Sequence, residues 1–181
     1  MIRYQITDGT AHINEDRWLA AINREADFVQ IREGHLTTRD LCRLVRKVGS
    51  GTRVLVNDRI DLAIACQAAG VHLRSGSIAP ELVRTIVPRG FLITVACHDA
   101  EDVQNAAGAD YVLLAPVFKP ISKQDGREPL GLTRLAEITR TSPAPVIALG
   151  GITESNMGLC IEAGAAGAAG ITFFRDFGTG K

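Results

Sequence analysis

The sequence predicts an α/β fold: a compact (β/α)8 barrel of the TIM type with a shortened C-terminal end, occupying residues 1–181 as one domain. Three observations carry this expectation. First, one junction recurs, in which a helical run closes in small residues and glycine and an apolar run begins at once. It appears at 67–73, 106–114 and 162–171, with a fainter copy at 24–31. Glycine just past a helix end takes the left-handed conformation without steric cost, so the next strand starts within a few residues. Second, the strand segments read as continuous apolar runs, as strands covered on both faces by crossover helices do. Third, eight such runs with seven helical segments between them match the barrel count.

In chain order, a strand at 3–7 leads to a helix at 15–25, and the faint junction opens a strand at 28–32. The helix at 38–48 starts where Thr37 and Thr38 can cap the turn ahead of Leu41 and Leu44. A strand at 53–56 and a helix at 60–69 run into the clear junction that starts a strand at 70–73. Helices at 80–87 and 100–107 flank a strand at 91–96, and the second clear junction delivers a strand at 111–115. After a long basic loop come a helix at 132–140, a strand at 146–149 and a helix at 154–163 capped by Thr153; the third junction yields the last strand at 168–171.

Such barrels usually take at least roughly 200 residues, so the helices of this 181-residue chain must be minimal. The segment after the eighth strand is too short for a normal closing helix. A bare flank would leave apolar wall in water, which predicts a homodimer contact around Phe173, Phe174 and Phe177. An open doubly wound sheet is the competing architecture.

Composition excludes several classes. Twenty basic residues balance 20 acidic ones, so no general field attracts nucleic acid or an anionic membrane; an anion must be held by a local cluster of cations and amides. The longest stretch without Asp, Glu, Lys or Arg, 141–153, is too short for a membrane span and is broken by Pro143 and Pro145. The first residues lack the pattern of an export signal, which makes a cytoplasmic location the expectation. Cys42, Cys66, Cys97 and Cys160 have no paired spacing and are expected to be small buried thiols in a reducing compartment.

In a parallel barrel the carboxyl ends of all strands face one side, and function belongs to the loops there. Those loops carry Arg32, Glu33, Gly34 and His35; Asn57, Asp58 and Arg59; His72 and Arg74; His98 and Asp99; Lys119, Ser122 and Lys123; Gly150 and Gly151; and Thr172. Cations, amide or hydroxyl donors and a carboxylate on one rim suit a phosphorylated small molecule, with a divalent cation held by Asp58. Gly150 and Gly151 follow an apolar strand and precede a helix, so their amides can approach a phosphate at a helix amino end; a tight turn that needs two glycines is the alternative.

At this point a resemblance can be read from ordered motifs. Tyr-Gln-Ile-Thr-Asp from residue 4, Val-Gln-Ile-Arg-Glu from 29, Val-Asn-Asp-Arg-Ile-Asp-Leu-Ala from 56 and Ala-Gly-Val-His-Leu from 69 stand in the first half. Gly-Ala-Asp-Tyr-Val-x-x-x-Pro-Val-Phe from 108, Ser-Lys at 122, Leu-Gly-Leu from 130 and Ala-Leu-Gly-Gly-Ile from 148 complete the set. In this order they resemble the thiamine phosphate synthase and TenI family over essentially the whole chain. The resemblance implies a (β/α)8 barrel that binds phosphorylated small molecules. It implies a magnesium-dependent (Mg2+) transferase of thiamine biosynthesis that joins hydroxymethylpyrimidine diphosphate to thiazole phosphate and releases pyrophosphate. Gln30 and Arg32 then match the pair that grips the diphosphate, Asn57 a substrate contact, Asp58 a magnesium ligand, and Ser122 and Lys123 the basic loop over the pyrophosphate. Gly150, Gly151, Ile171 and Thr172 match the cradle for the thiazole phosphate, and His98 joins the substrate-binding set.

Departures from the family pattern accompany the matches. Gly34 stands where the synthase motif has lysine, Ser77 near a second magnesium-binding aspartate, Ala96 for a serine and Pro120 for a threonine. Arg74 could offset the lost cation. In the TenI-like tautomerase branch a histidine just before Val-Phe moves a proton; here that position is Pro116, which leaves His72 and His98 as substitutes, and His12 and His35 as weaker ones. Three readings follow: a synthase with a thinned metal site, a TenI-like isomerase acting on a thiazole phosphate, and a non-catalytic phosphate-ligand binder.

Overall fold

The apolar runs do form eight strands, and all of them run in the same direction. The structure, a computed structural model, describes residues 1–10, 26–49, 52–119 and 126–171. The strands are β1 (Ile2–Ile6), β2 (Phe28–Ile31), β3 (Arg53–Asn57), β4 (Gly70–Leu73), β5 (Leu92–Cys97), β6 (Tyr111–Leu114), β7 (Val146–Leu149) and β8 (Gly167–Gly170). They follow chain order around a closed barrel. Closure is made by β1 against β8, from Ile2 opposite Gly167 to Gln5 opposite Gly170, which rules out the open doubly wound sheet.

Among the described residues the helices are α1 (Thr38–Val48), α2 (Ile60–Ala65), α3 (Pro80–Arg84), α4 (Ala100–Gln104), α5 (Gly131–Thr141) and α6 (Glu154–Glu162). The helix expected at 15–25 lies outside the described residues, as do Phe173, Phe174 and Phe177. Thr37 caps α1 by accepting from the Asp40 N–H at 3.2 Å, as its position suggested. Barrel closure within this length comes from α2, α3 and α4, which have only six, five and five residues. Each is shorter than the pattern predicted, because tight turns end them early. After α2, Gln67 turns to φ 58° while the Ala68 N–H reaches back to the Ala63 carbonyl at 2.9 Å.

Two apolar layers result from the alternation of side chains along each strand. Inside the barrel Tyr4, Ile6, Phe28, Leu55, Leu113, Ile147 and Ala169 pack together, all buried. Outside it, Val29, Val54, Val56, Val71, Leu44, Leu135 and Ile138 belong to the shell between strands and helices. At the amino ends of the strands, the Arg84 guanidinium binds the Phe91 carbonyl and the Asp110 carboxylate at 2.6 and 2.7 Å. That cation is committed to holding the base of the barrel.

One expectation needs correction. Cys42 in α1 and Cys66 at the carboxyl end of α2 form a disulfide, with their Cα atoms 5.3 Å apart; Cys97 and Cys160 are buried free thiols, as expected. The pairing depends on α1 lying beside α2 in space, which a separation of 24 residues does not reveal.

Leu113 is fully buried inside the barrel. Leu113→Ala should cost about 2–5 kcal/mol in denaturant unfolding with an unchanged slope, since the cavity cannot collapse between paired strands. A loss below about 1 kcal/mol would contradict this packing.

Candidate active site

Parallel strands bring to one mouth what lies far apart in sequence. Gln30 and Arg32 stand at the end of β2, Asn57 and Asp58 of β3, His72 and Arg74 of β4, and His98 of β5. Gly150 and Gly151 follow β7, and Ile171 follows β8. Ser122, Lys123, Thr172 and Pro120 lie outside the described residues.

Beneath the mouth, the inward-facing residues change from apolar to polar. Tyr4 Oη lies 3.2 Å from Thr94 Oγ1, which lies 2.8 Å from His72 Nδ1. All three residues are buried. Burial pushes the Tyr4 phenol up, so it keeps its proton, and the hydrogen bond shared with Thr94 is what satisfies it. Thr94 Oγ1 thus joins the phenol and the imidazole in one buried hydrogen-bonded row. Burial, assisted by the Arg32 charge and opposed by Asp58, pulls the His72 pKa down to about 3. His72 is therefore neutral at the floor of the mouth. The sequence gives neither Tyr4 nor Thr94 a role of its own: Tyr4 stands within a family motif, and Thr94 is a lone hydroxyl in an apolar strand.

Beside this relay the Gln30 side-chain N–H2 donates to Asn57 Oδ1 at 2.7 Å. The Gln30 Oε1 atom is buried with no hydrogen-bond partner among the described residues. A buried acceptor left unpaired is costly, so a donor that reaches this oxygen would be favoured there.

Asp58 is held tightly. Its Oδ2 accepts from Arg74 Nε at 2.7 Å and pairs with Nη2 at 2.5 Å, while Oδ1 accepts from Ser77 Oγ at 2.8 Å. Burial raises its carboxyl, but the hydrogen bonds from Ser77 and Arg74 outweigh that and hold it below the ordinary range. The expected magnesium ligand is thus already engaged at both oxygens. Among the described residues no group of three or more His, Cys, Asp or Glu is placed to hold a metal. The donor set around Asp58 does not fit a divalent cation, which takes several oxygens unencumbered by protein cations.

Further round the rim, after β5, His98 Nδ1 donates to the Ala115 carbonyl at 2.8 Å, which fixes the ring and leaves Nε2 as the atom able to meet a substrate. Pro116 follows directly and offers no proton. Gly150 and Gly151 have φ of 95° and 62°, and a Cβ on Gly151 would lie 2.8 Å from Phe118 Cβ. The pair is therefore required by the close approach of the β7 loop to the β6 loop. The Gly150 carbonyl accepts from Phe118 N–H at 3.0 Å and the Gly151 carbonyl from Asn156 Nδ2 at 2.9 Å. With both carbonyls engaged inside the protein, peptide N–H groups are what this turn can offer an anion. Asn156 also accepts from the Thr153 N–H at 2.8 Å, which locks the start of α6 against the turn. The tight-turn and cradle readings are compatible.

A family model described as thiamine monophosphate synthase matches residues 3–174. Over 174 residues the chain is 38% identical to the thiamine-phosphate synthase of Methanoregula boonei, covering 90% of this chain and 80% of that protein. It is 39% identical over 181 residues to the thiamine-phosphate synthase of Methanoculleus marisnigri, covering 93% and 85%. The solved structure of thiamine phosphate pyrophosphorylase from Pyrococcus furiosus aligns with a TM-score of 0.78 at 28% identity, covering 94% of this chain and 85% of that one.

Two outcomes follow from this geometry. His72 is neutral in the fold, with a pKa of about 3 against an ordinary 6.5, so acid favours the unfolded chain, which takes up the proton. Its stabilising contribution is complete above pH 6.5 and is lost as pH falls toward 3. Between pH 7 and 4.5 the wild type should lose roughly 2 to 3 kcal/mol more than His72→Gln in denaturant melts; equal losses would refute the neutral assignment. Gly151→Ala, strained by φ and by the Phe118 contact, should lower both Tm and phosphate-ligand affinity; a variant with unchanged Tm would contradict the loop packing.

Proposed function

This chain belongs to the thiamine monophosphate synthase family, and from that premise we propose that residues 1–181 act as one catalytic domain joining hydroxymethylpyrimidine diphosphate to thiazole phosphate. In this reaction the C–O bond to the diphosphate breaks with both electrons leaving on oxygen. The thiazole nitrogen lone pair then forms a C–N bond to the pyrimidine methylene carbon. Thiamine phosphate and pyrophosphate are the products. No oxidant or reductant is needed.

The protein's task is to stabilise departing negative charge and hold two substrates face to face. Arg32 and Gln30 are assigned to the diphosphate end, with Asn57 fixed by Gln30 beside them. Gly150, Gly151 and Ile171, with Thr172 and His98, are assigned to the thiazole phosphate side. Ser122 and Lys123 are assigned to the pyrophosphate loop. His72, held neutral, closes the floor without adding charge. The magnesium expected at Asp58 does not fit the donors there, and no step is routed through it. One observation carries the reading: closure of a parallel barrel puts the unpaired Gln30 acceptor, the Arg32 cation and the Gly150–Gly151 turn on the same mouth. A proton-shuttling isomerase has less support, because Pro116 cannot carry a proton and His72 is held neutral.

Incubating the protein with both substrates should yield thiamine phosphate and pyrophosphate by mass spectrometry. Absence of product together with calorimetric binding of thiazole phosphate would favour the non-catalytic binder. Arg32→Ala should lower kcat/KM by about 10²-fold, as loss of one charge-stabilising donor does, with Tm nearly unchanged. Parallel loss of Tm and activity would refute that assignment.

A further inference from the structure

We propose that Arg74, aimed by Asp58 and Ser77, serves as a built-in cation for the diphosphate, so that this end of the substrate is held without a divalent metal at Asp58. The inference deepens the function proposed above and rests on it.

The geometry of the cluster is directional. The Asp58 carboxylate is the inner partner, its side chain 17% exposed, while the Arg74 side chain is 72% exposed. Charge is therefore presented outward by the guanidinium, with the carboxylate tucked behind it. Asp58 uses Oδ2 for Nε and Nη2 of Arg74 and Oδ1 for Ser77 Oγ and, at 3.4 Å, the Arg74 N–H. Four donors on two oxygens leave the carboxylate little capacity to ligate an ion. The Nη1 group of Arg74, by contrast, has no acceptor among the described residues. An arginine fork held by its Nε edge presents its remaining N–H groups in the planar arrangement that suits phosphate oxygens.

The anchoring is rigid. The Asp58 N–H donates to the His72 carbonyl at 2.8 Å, which ties the cluster to the paired ends of β3 and β4. Asn57, next in the chain, is fixed by Gln30 on β2. Arg32 and Arg74 thus flank one stretch of rim across three adjacent strands. Asp58 is a positioning residue in this arrangement: it touches Arg74, and Arg74 touches the ligand.

The test is calorimetric titration of inorganic pyrophosphate into the full chain, in EDTA and again in magnesium. The wild type should bind in EDTA, with magnesium changing affinity by less than about threefold. Arg74→Ala should weaken binding in EDTA by about tenfold or more, and Arg74→Lys should restore part of it, since charge returns without the fork. Asp58→Asn and Ser77→Ala should weaken it less, and magnesium should not rescue them. Wild-type binding that requires magnesium, and that Asp58→Asn abolishes while Arg74→Ala leaves it intact, would overturn the proposal. Failure of the two readings is separable. Arg74-dependent pyrophosphate binding in a protein that forms no thiamine phosphate leaves the anion site standing and removes the synthase. Thiamine phosphate formation that needs magnesium and ignores Arg74 does the reverse.

Discussion

Pairing of β1 with β8 is the constraint on which the molecule depends. It turns a row of parallel strands into a ring, and a ring has a small interior that must be filled to crystal-like density. Aromatic bulk from one side is matched by small residues on the other. Tyr4 stands opposite Ala169 across the closing seam, while its ring lies 6.0 Å from Phe28, which in turn lies 5.4 Å from Tyr111. β8 is Gly-Ala-Ala-Gly, a poor strand by propensity, because larger side chains there would collide with β1. A Cβ on Gly167 would lie 2.6 Å from Ile2 Cβ. The apparent weakness of the last strand is the fit of the last piece.

The same ring sorts polarity along its axis. At the amino ends, Arg84 and Asp110 are spent on backbone and on each other. In the middle, apolar side chains give way to Tyr4, Thr94 and His72, a buried row joined by hydrogen bonds. At the carboxyl ends, among the described residues, Gln30 Oε1 and the outer edge of Arg74 keep hydrogen-bonding capacity. Polar groups cost least to leave open where a ligand or water can reach them.

Most of this architecture was legible in the chain because its signals are local. The glycine-closed junctions before β4, β6 and β8 depend on a few consecutive residues, and the strands they predicted are present within a residue or so. The long helix α1 and its Thr37 cap were equally legible. What was missed depends on contacts across the fold. The ends of α2, α3 and α4 are set by turn geometry that competes with helical pattern. The Cys42–Cys66 pairing needs α1 and α2 side by side. The Tyr4–Thr94–His72 row draws one residue each from β1, β5 and β4. Asp58 was correctly placed at the mouth, yet its partners Arg74 and Ser77, 16 and 19 residues away, decide what its carboxylate can still do.

That decision bears on turnover. A divalent cation that neutralises a diphosphate can depart with it, whereas a tethered guanidinium stays behind, so an internal cation must attract the leaving group without trapping the product. Two features of Arg74 meet this requirement. Its exposure places it in a high effective dielectric, where attraction to an anion is moderate and screened by salt. Its Nη2 and Nε edge is shared with Asp58, so part of its charge is already balanced and only the outer edge is free to bind. Arg32, with no carboxylate partner among the described residues, then supplies the stronger field at the same rim, close enough for its charge to suppress the protonation of His72. On the proposed reading, one strong and one tempered cation would stabilise charge as the C–O bond breaks, the tempered one holding pyrophosphate less firmly once it has left.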